Sequence, residues 1–367
     1  MKDTGKADGN DEEEEEPEDE DVTSKTALGS SSIAVLTPLP SNLEELRWSD
    51  PNLSLRDLGF KISRSGKLFH VSSRKIFSWR KFLHLKPGET PVELLNQRSA
   101  PEIDFIKRKI STLLDAFRRE LNRILTTRYT LHSYFLKCLD FSNNTDKFLA
   151  SHDALENTLG LIVFFTANGI AGVWDKKLVL QEGLDVGSFE PYIERFRKFN
   201  WSVVIMDPRS NSDTTLEGFD DSHTDELALN HVFVIWEKFV LKSKTKYIAI
   251  IAEGSGGYLA QEVIRRHVMS CPRLKAIILL NYTFEFSPED AWWQTAQPLT
   301  KCFVQSARPP GALEKKRNGL NCSSSGIRSD RHHSLVPRAS LAAIVEFIYY
   351  EFYGISLRLT TDYDYDT

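Results

Sequence analysis

Between residues 159 and 306 the chain alternates short, wholly apolar runs with longer stretches of helical period. "LGLIVFFT" (159–166) is a continuous apolar run, followed by the helical spacing of "FEPYIERFRKF" (189–199) and the apolar "WSVVIMD" (201–207). After a loop rich in Ser, Asp and Thr comes "TDELALNHVFVIWEKFVLK" (224–242), a long helical pattern for which Thr224 offers a cap. The alternation continues with "YIAII" (247–251), the helical "GYLAQEVIRRHV" (257–268), and the strand-like "KAIILLN" (275–281) and "TKCFVQS" (300–306). "ASLAAIVEFIYYEF" (339–352) closes it as a last helix. Strands that are apolar throughout and separated by helices predict a mostly parallel sheet covered on both faces, an α/β fold.

Upstream the pattern differs. "LGFKISRSGKLFHVSS" (58–73) alternates apolar and polar positions around Ser65-Gly66, which predicts a β-hairpin. Residues 101–128 place Ile103, Ile106, Ile110, Leu113, Leu114, Phe117, Leu121, Ile124 and Leu125 at helical spacing. Lys107, Arg108, Arg118, Arg119 and Arg123 lie largely on the other side, as a solvated face or a nucleic-acid face. Direct nucleic-acid binding is not expected. Residues 307–331, with Pro309, Pro310, Gly311 and Ser323 to Ser325, predict a long mobile loop. Its Lys315-Lys316-Arg317 triplet is either a chance cluster or a nuclear-import signal.

Length and charge sharpen this division. At 367 residues and 41% hydrophobic, the chain can bury the core of one large domain or two modest ones. Residues 1–21 hold twelve acids against Lys2 and Lys6, a net of −10 where the whole chain is −5, so the remainder is +5. Such a run repels itself and cannot bury a core. Residues 1–45 are therefore expected to be disordered, as a solubilising tail or as a lure for basic partners. Cys138, Cys271, Cys302 and Cys322 show no CxxC spacing, which argues against structural zinc. Without a signal peptide, thiols in a reducing compartment are expected. No stretch approaches the ~18 apolar residues of a membrane-spanning helix, so no membrane association is expected.

The candidate chemistry lies in "YIAIIAEGSGGYLAQEVIRR" (247–266): an apolar strand, a glycine turn carrying Ser255, then an amphipathic helix. This is the outline of a nucleophile elbow, close to G-x-S-x-G. Gly257 supplies the small residue two after the serine; Glu253, two before it, is not small. Two other readings stay open. Ser255 is a helix cap, or the turn cradles an anion at a helix N-terminus, although it lacks the lysine and spacing of a P-loop. A catalytic serine needs a base and an orienting acid, in chain order Ser, acid, His. His332 and His333 stand in the expected place for the base; Asn281 stands where an acid would sit after strand 275–281, and Asp330 is near His332 in sequence. The loop after strand 159–166 reads "TANG", with Gly169 displaced from an oxyanion-hole position.

Several stretches together resemble the Argonaute-binding protein two domain. "AEGSGGYLA" resembles its elbow, where a His-Ser-Tyr-Gly-Gly turn is usual. "GLIVFFTANGIAGVWDKKLVLQEGLDVGSFEPYI" resembles its preceding strand and loop, and "SDRHHSLV" its Asp-Arg-His segment. The hairpin at 58–73 resembles the segment ahead of this domain in the animal cotranscriptional regulators. The resemblance runs in patches over about 57–353. It implies a three-layer, mostly parallel sheet of the α/β-hydrolase type, with Ser255 at the nucleophile position and His332 at the histidine position. No cofactor and no metal are expected; the resemblance implies a nuclear location, with the cytoplasm as a second compartment. The implied partners are Argonaute, chromatin or splicing factors. Gly254 before the serine instead of His, Thr166-Ala167 instead of His-Gly, and Asn281 instead of Asp are departures of the kind a diverged paralogue shows. The expected organisation is a disordered acidic tail (1–45), a hairpin and helical region packed on the core (46–150), the hydrolase-like domain (151–355) and a flexible C-terminus (356–367). The expected function is a binding or scaffold role in nuclear gene regulation; a weak serine hydrolase is the alternative.

Overall fold

A computed structural model describes residues 48–86, 94, 98–137, 145–208, 226–282, 286–314, 320, 322–328, 331 and 333–357. The expected acidic tail and most of the expected C-terminal segment lie outside these residues. So do Thr224, the Lys315-Lys316-Arg317 cluster, Asp330 and His332.

In chain order, β1 (Phe60–Ile62), β2 (Leu68–His70) and β3 (Lys75–Ile76) form an antiparallel meander, one strand more than the expected hairpin. Then come α1 (Ala100–Tyr129), β4 (Leu131–Lys137), β5 (Thr145–Ser151), β6 (Gly160–Phe165), α2 (Lys176–Glu182), α3 (Glu190–Arg197) and β7 (Ser202–Met206). The chain continues through α4 (Glu226–Lys238), β8 (Tyr247–Glu253), α5 (Gly256–His267), β9 (Leu274–Leu280), α6 (Ala291–Ala296), β10 (Thr300–Val304), β11 (Cys322–Ser324) and α7 (Val336–Tyr353). Eight strands pair in the order β11-β10-β9-β8-β6-β7-β5-β4. All neighbours from β11 to β7 are parallel; β5 runs antiparallel to β7 and to β4. Counted from β4, the order is 1-2-4-3-5-6-7-8 with an antiparallel second strand, the arrangement of the α/β-hydrolase fold.

The two-residue period of the strands sorts their side chains into two cores. Ile162 and Phe164 of β6, Val203 and Ile205 of β7, and Ala249 and Ile251 of β8 join the meander, α1, α3 and α7. Leu161, Val163 and Phe165, with Val204, Met206, Ile250 and Ala252, join α4, α5 and α6 on the other face. The result is three layers, helix on sheet on helix. The backbone N–H of Ser99, just before α1, donates to Glu102 (3.0 Å), a helix-start pairing. At the other end of α1, the Glu190 carboxylate at the start of α3 accepts a hydrogen bond from Tyr129 (2.9 Å) and pairs with Arg128. The meander docks through Gly66, whose carbonyl accepts from Leu184 N (3.0 Å).

Three expectations are corrected. The helix expected over 224–242 ends at Lys238 and passes into a single 3-10 turn at Val240–Lys242. The segment 307–331 is not simply a mobile loop: Cys322–Ser324 forms β11 on the sheet edge, parallel to β10. The sequence hides it because it lacks an apolar run; Ser324 is fully buried yet donates to the carbonyls of Ser306 (3.0 Å) and Arg308 (2.6 Å). Residues 131–151, for which the pattern predicted no strand, form the antiparallel pair β4–β5.

Candidate functional site

The elbow lies at the C-terminal end of β8, near the middle of the sheet. Leaving Glu253, the backbone turns left-handed at Gly254 (φ +53°) and enters α5 at Ser255 (φ −64°, ψ −24°). Gly254 N donates to Leu280 O (3.1 Å) and its carbonyl accepts from Gly257 N (3.0 Å), which fixes the turn. Space explains the glycines that follow. A Cβ on Gly256 would stand 2.3 Å from Phe165 O and 2.8 Å from Thr166 Cα; one on Gly257 would meet the Tyr282 ring at 2.3 Å. A Cβ on Gly254 would meet nothing within 4 Å. Counted from Gly254, the small residues two before and two after are Ala252 and Gly256. Ser255 therefore stands one residue past the tip, with ordinary helical angles. It stands at the N-cap position of α5, as the cap reading expects, but its side chain makes no capping hydrogen bond.

Opposite the tip, the loop after β6 supports itself. Asn168 Nδ2 donates to the carbonyls of Val173 (3.2 Å) and Trp174 (2.7 Å), and Gly169 N to Asp207 Oδ1 (3.3 Å). Thr166 is fully buried, and its hydroxyl has no partner among the described residues.

The end of β9 adjoins the tip, because β8 and β9 pair as far as Glu253 and Leu280. Asn281, itself left-handed (φ +53°), donates from Nδ2 to His333 O (3.1 Å) and lies 3.5 Å from Glu253 Oε1. The segment carrying the histidines is thus tied to the ends of β8 and β9. A second tie comes from Ser334, whose hydroxyl donates to Asp175 Oδ2 (2.7 Å); the other Asp175 oxygen accepts from Leu178 N (2.8 Å) at the start of α2. Burial pushes the Glu253 carboxyl up to about 7; the Asn281 amide opposes this and the charge of Asp175 adds to it. Near neutral pH this carboxyl can donate or accept a proton. His332 lies outside the described residues, and His333 presents its backbone carbonyl to Asn281.

Sequence reading placed Ser255 and Asn281 at this end of the sheet. It missed Asp175, Glu253 and Ser334 as a connected group. The available signal was Glu253 itself, a charged residue closing an apolar strand. Among the described residues no group of three His, Cys, Asp or Glu is arranged to hold a metal, and no helix is long and apolar enough to cross a membrane.

Residues 139–289 match the Arb2 domain. A FAM172 family protein homolog of Caenorhabditis elegans is 27% identical over 206 residues, covering 54% of this chain and 62% of the relative. A cotranscriptional regulator ARB2A homolog of Dictyostelium discoideum is 22% identical over 249 residues, 56% of this chain and 62% of the relative. Human cotranscriptional regulator ARB2A is 26% identical over 184 residues, 46% of this chain and 39% of the relative. The chain thus spans under two thirds of the length of these relatives. Among solved structures, a Saccharomyces cerevisiae histone deacetylase superimposes with a TM-score of 0.44 at 10% identity, over 65% of this chain and 97% of that one. A Rhizomucor miehei esterase gives 0.36 at 12% identity, over 71% and 95%. Through residues 139–289, under half of its length, this chain is similar to the Arb2 domain family, and its sheet is of the α/β-hydrolase type.

Proposed function

We propose that the chain is a binding or scaffold protein in nuclear gene regulation, acting on protein partners of Argonaute-linked silencing, chromatin or splicing. The observation that carries this reading is the elbow tip. In a working elbow the nucleophile is itself the residue on the sharp strand-to-helix turn. Here that residue is Gly254, and Ser255 is the next residue, just ahead of α5 and already at helical angles. The names of the relatives, cotranscriptional regulators in Dictyostelium and human, support the regulatory setting. Affinity purification of the tagged chain tests the partner class. Recovery of silencing, chromatin or splicing factors is expected, and recovery of metabolic enzymes alone would overturn the reading.

The competing reading is a weak hydrolase acting on an ester or amide through Ser255 and His332, motivated by the elbow outline. A fluorophosphonate probe separates the two. No labelling is expected of the native chain; strong labelling abolished in Ser255→Ala would establish the hydrolase instead.

A further inference from the structure

We infer that the cleft between α1 and β5 is a docking site for a phosphorylated side chain of a partner protein. The cleft is about 330 Å³ and open to solvent, and Arg118, Arg119, Asn122, Lys147, Phe148, Leu149 and Ala171 line it. It shares only Ala171, from the loop after β6, with the site described above; its other lining residues come from α1 and β5.

Charge pairing decides what it can take. Much of the basic face of α1 is neutralised by its own neighbours: Arg118 pairs with Asp115 (2.9 Å), Arg123 with Glu120 (2.7 Å) and Arg128 with Glu190. Arg119 donates to a neutral group, the Leu53 carbonyl. Lys147 lines the cleft from the sheet side and has no ion pair among the described residues. With Arg118 offset by Asp115, the lining keeps a charge of about +2, which matches the roughly −1.5 to −2 of a phosphate monoester at neutral pH. Guanidinium and ammonium donors on one anion form charge-assisted hydrogen bonds, about twice as strong as neutral ones. Asn122 adds an amide donor.

Single-stranded nucleic acid would need a basic track and aromatic platforms for stacking. The pairing along α1 breaks the track, and Phe148, the sole ring in the lining, is buried at 2% exposure. A volume of about 330 Å³, roughly ten waters at ~30 Å³ each, fits one phosphate and the side chain that carries it. Leu149 and Ala171 provide an apolar floor for that side chain.

The site extends the partner-binding reading, but its test uses no regulatory partner, so the two can fail separately. The full chain is titrated with inorganic phosphate, a neutral peptide carrying one phosphoserine, its unphosphorylated copy, adenosine monophosphate and a single-stranded RNA oligomer. Saturable binding of the phosphopeptide, displaced by inorganic phosphate and absent for the unphosphorylated copy, is expected. Arg119→Glu and Lys147→Glu are each expected to weaken it by at least about tenfold, the size of one lost charge-assisted hydrogen bond. Circular-dichroism melts confirm that each variant folds, with Arg119→Gln and Lys147→Gln as milder substitutes. Three results would overturn the assignment: no saturable phosphopeptide binding, binding unchanged in the variants, or RNA or adenosine monophosphate bound more than about tenfold tighter than the phosphopeptide.

Discussion

At Gly254 and Gly256 one-residue changes have opposite structural meanings. Gly254 is left-handed but its surroundings are open, so Gly254→Ser costs only the conformational penalty of a side chain at positive φ, about 1–2 kcal/mol. Gly256 has an ordinary place in the helix but lies against the backbone of Phe165 and Thr166. Gly256→Ala must separate β6 from α5, and a loss of about 2–4 kcal/mol is expected. Urea denaturation of both variants ranks them; equal losses would show that the close approach at Gly256 does not matter. The neighbouring Glu253 carries a pH signature. Its carboxyl keeps its proton in the folded chain up to about pH 7, whereas the ordinary value is 4.5. Between these values the unfolded chain releases a proton that the folded chain holds, so stability falls as pH rises through this window and then levels. Glu253→Gln removes that slope. The variant should equal the wild type below pH 4.5 and exceed it above pH 7 by up to about 3 kcal/mol. A gap that stays constant from pH 4 to 8 would mean that Glu253 is not the titrating group.

Among the elements, α1 is tied to α3 at its last turn by the Glu190 carboxylate and by Arg197, which donates to the Arg128 carbonyl (3.0 Å). Glu190 is 8% exposed and takes both Tyr129 and Arg128. Burial, with the Glu190 charge adding, holds the Tyr129 hydroxyl well above the usual tyrosine range, so it stays a donor. Removing a buried acceptor strands its donors. Because Arg128 is half exposed, Glu190→Ala should cost about 2–3 kcal/mol, below the 3–5 kcal/mol of a fully buried pair. Hydrogen exchange is expected to rise first over the last turns of α1. Unchanged protection there would show that the helix is held without this carboxylate.

For the molecule as a whole, the centre of the sheet was legible and its margins were not. β6, β7, β8 and β9 are buried on both faces and read as apolar runs, with polar residues only near their ends at Ser202, Glu253 and Lys275. β4 is half exposed, with Phe135 61% open at the edge, and β11 is three residues of Cys and Ser, so neither carries that signal. The site was legible as an outline, strand then glycines then helix. Which residue sits at the tip is a matter of φ, and in a Gly-Ser-Gly run the letters alone do not fix it. Asp175 and Glu253 are 78 positions apart, and they come together through the pairing of β6 with β8 and the loop that leads from β6 to α2.

That same pairing imposes a timetable on synthesis. β6 is complete in sequence at Phe165, but its partner on one side begins at Tyr247, which pairs with Gly160. At about 5–20 residues per second, translation leaves β6 waiting about 4–16 s for that neighbour. During this interval the apolar faces of the meander, α1 and β6 have no complete layer to cover them, so the growing chain is a substrate for holding chaperones. Ribosome-arrested chains ending near residue 200 should be rapidly cleaved by added protease and bind such chaperones, and chains arrested after α7 has emerged should do neither. Equal resistance at both lengths would mean that the first half acquires a stable core before the sheet closes.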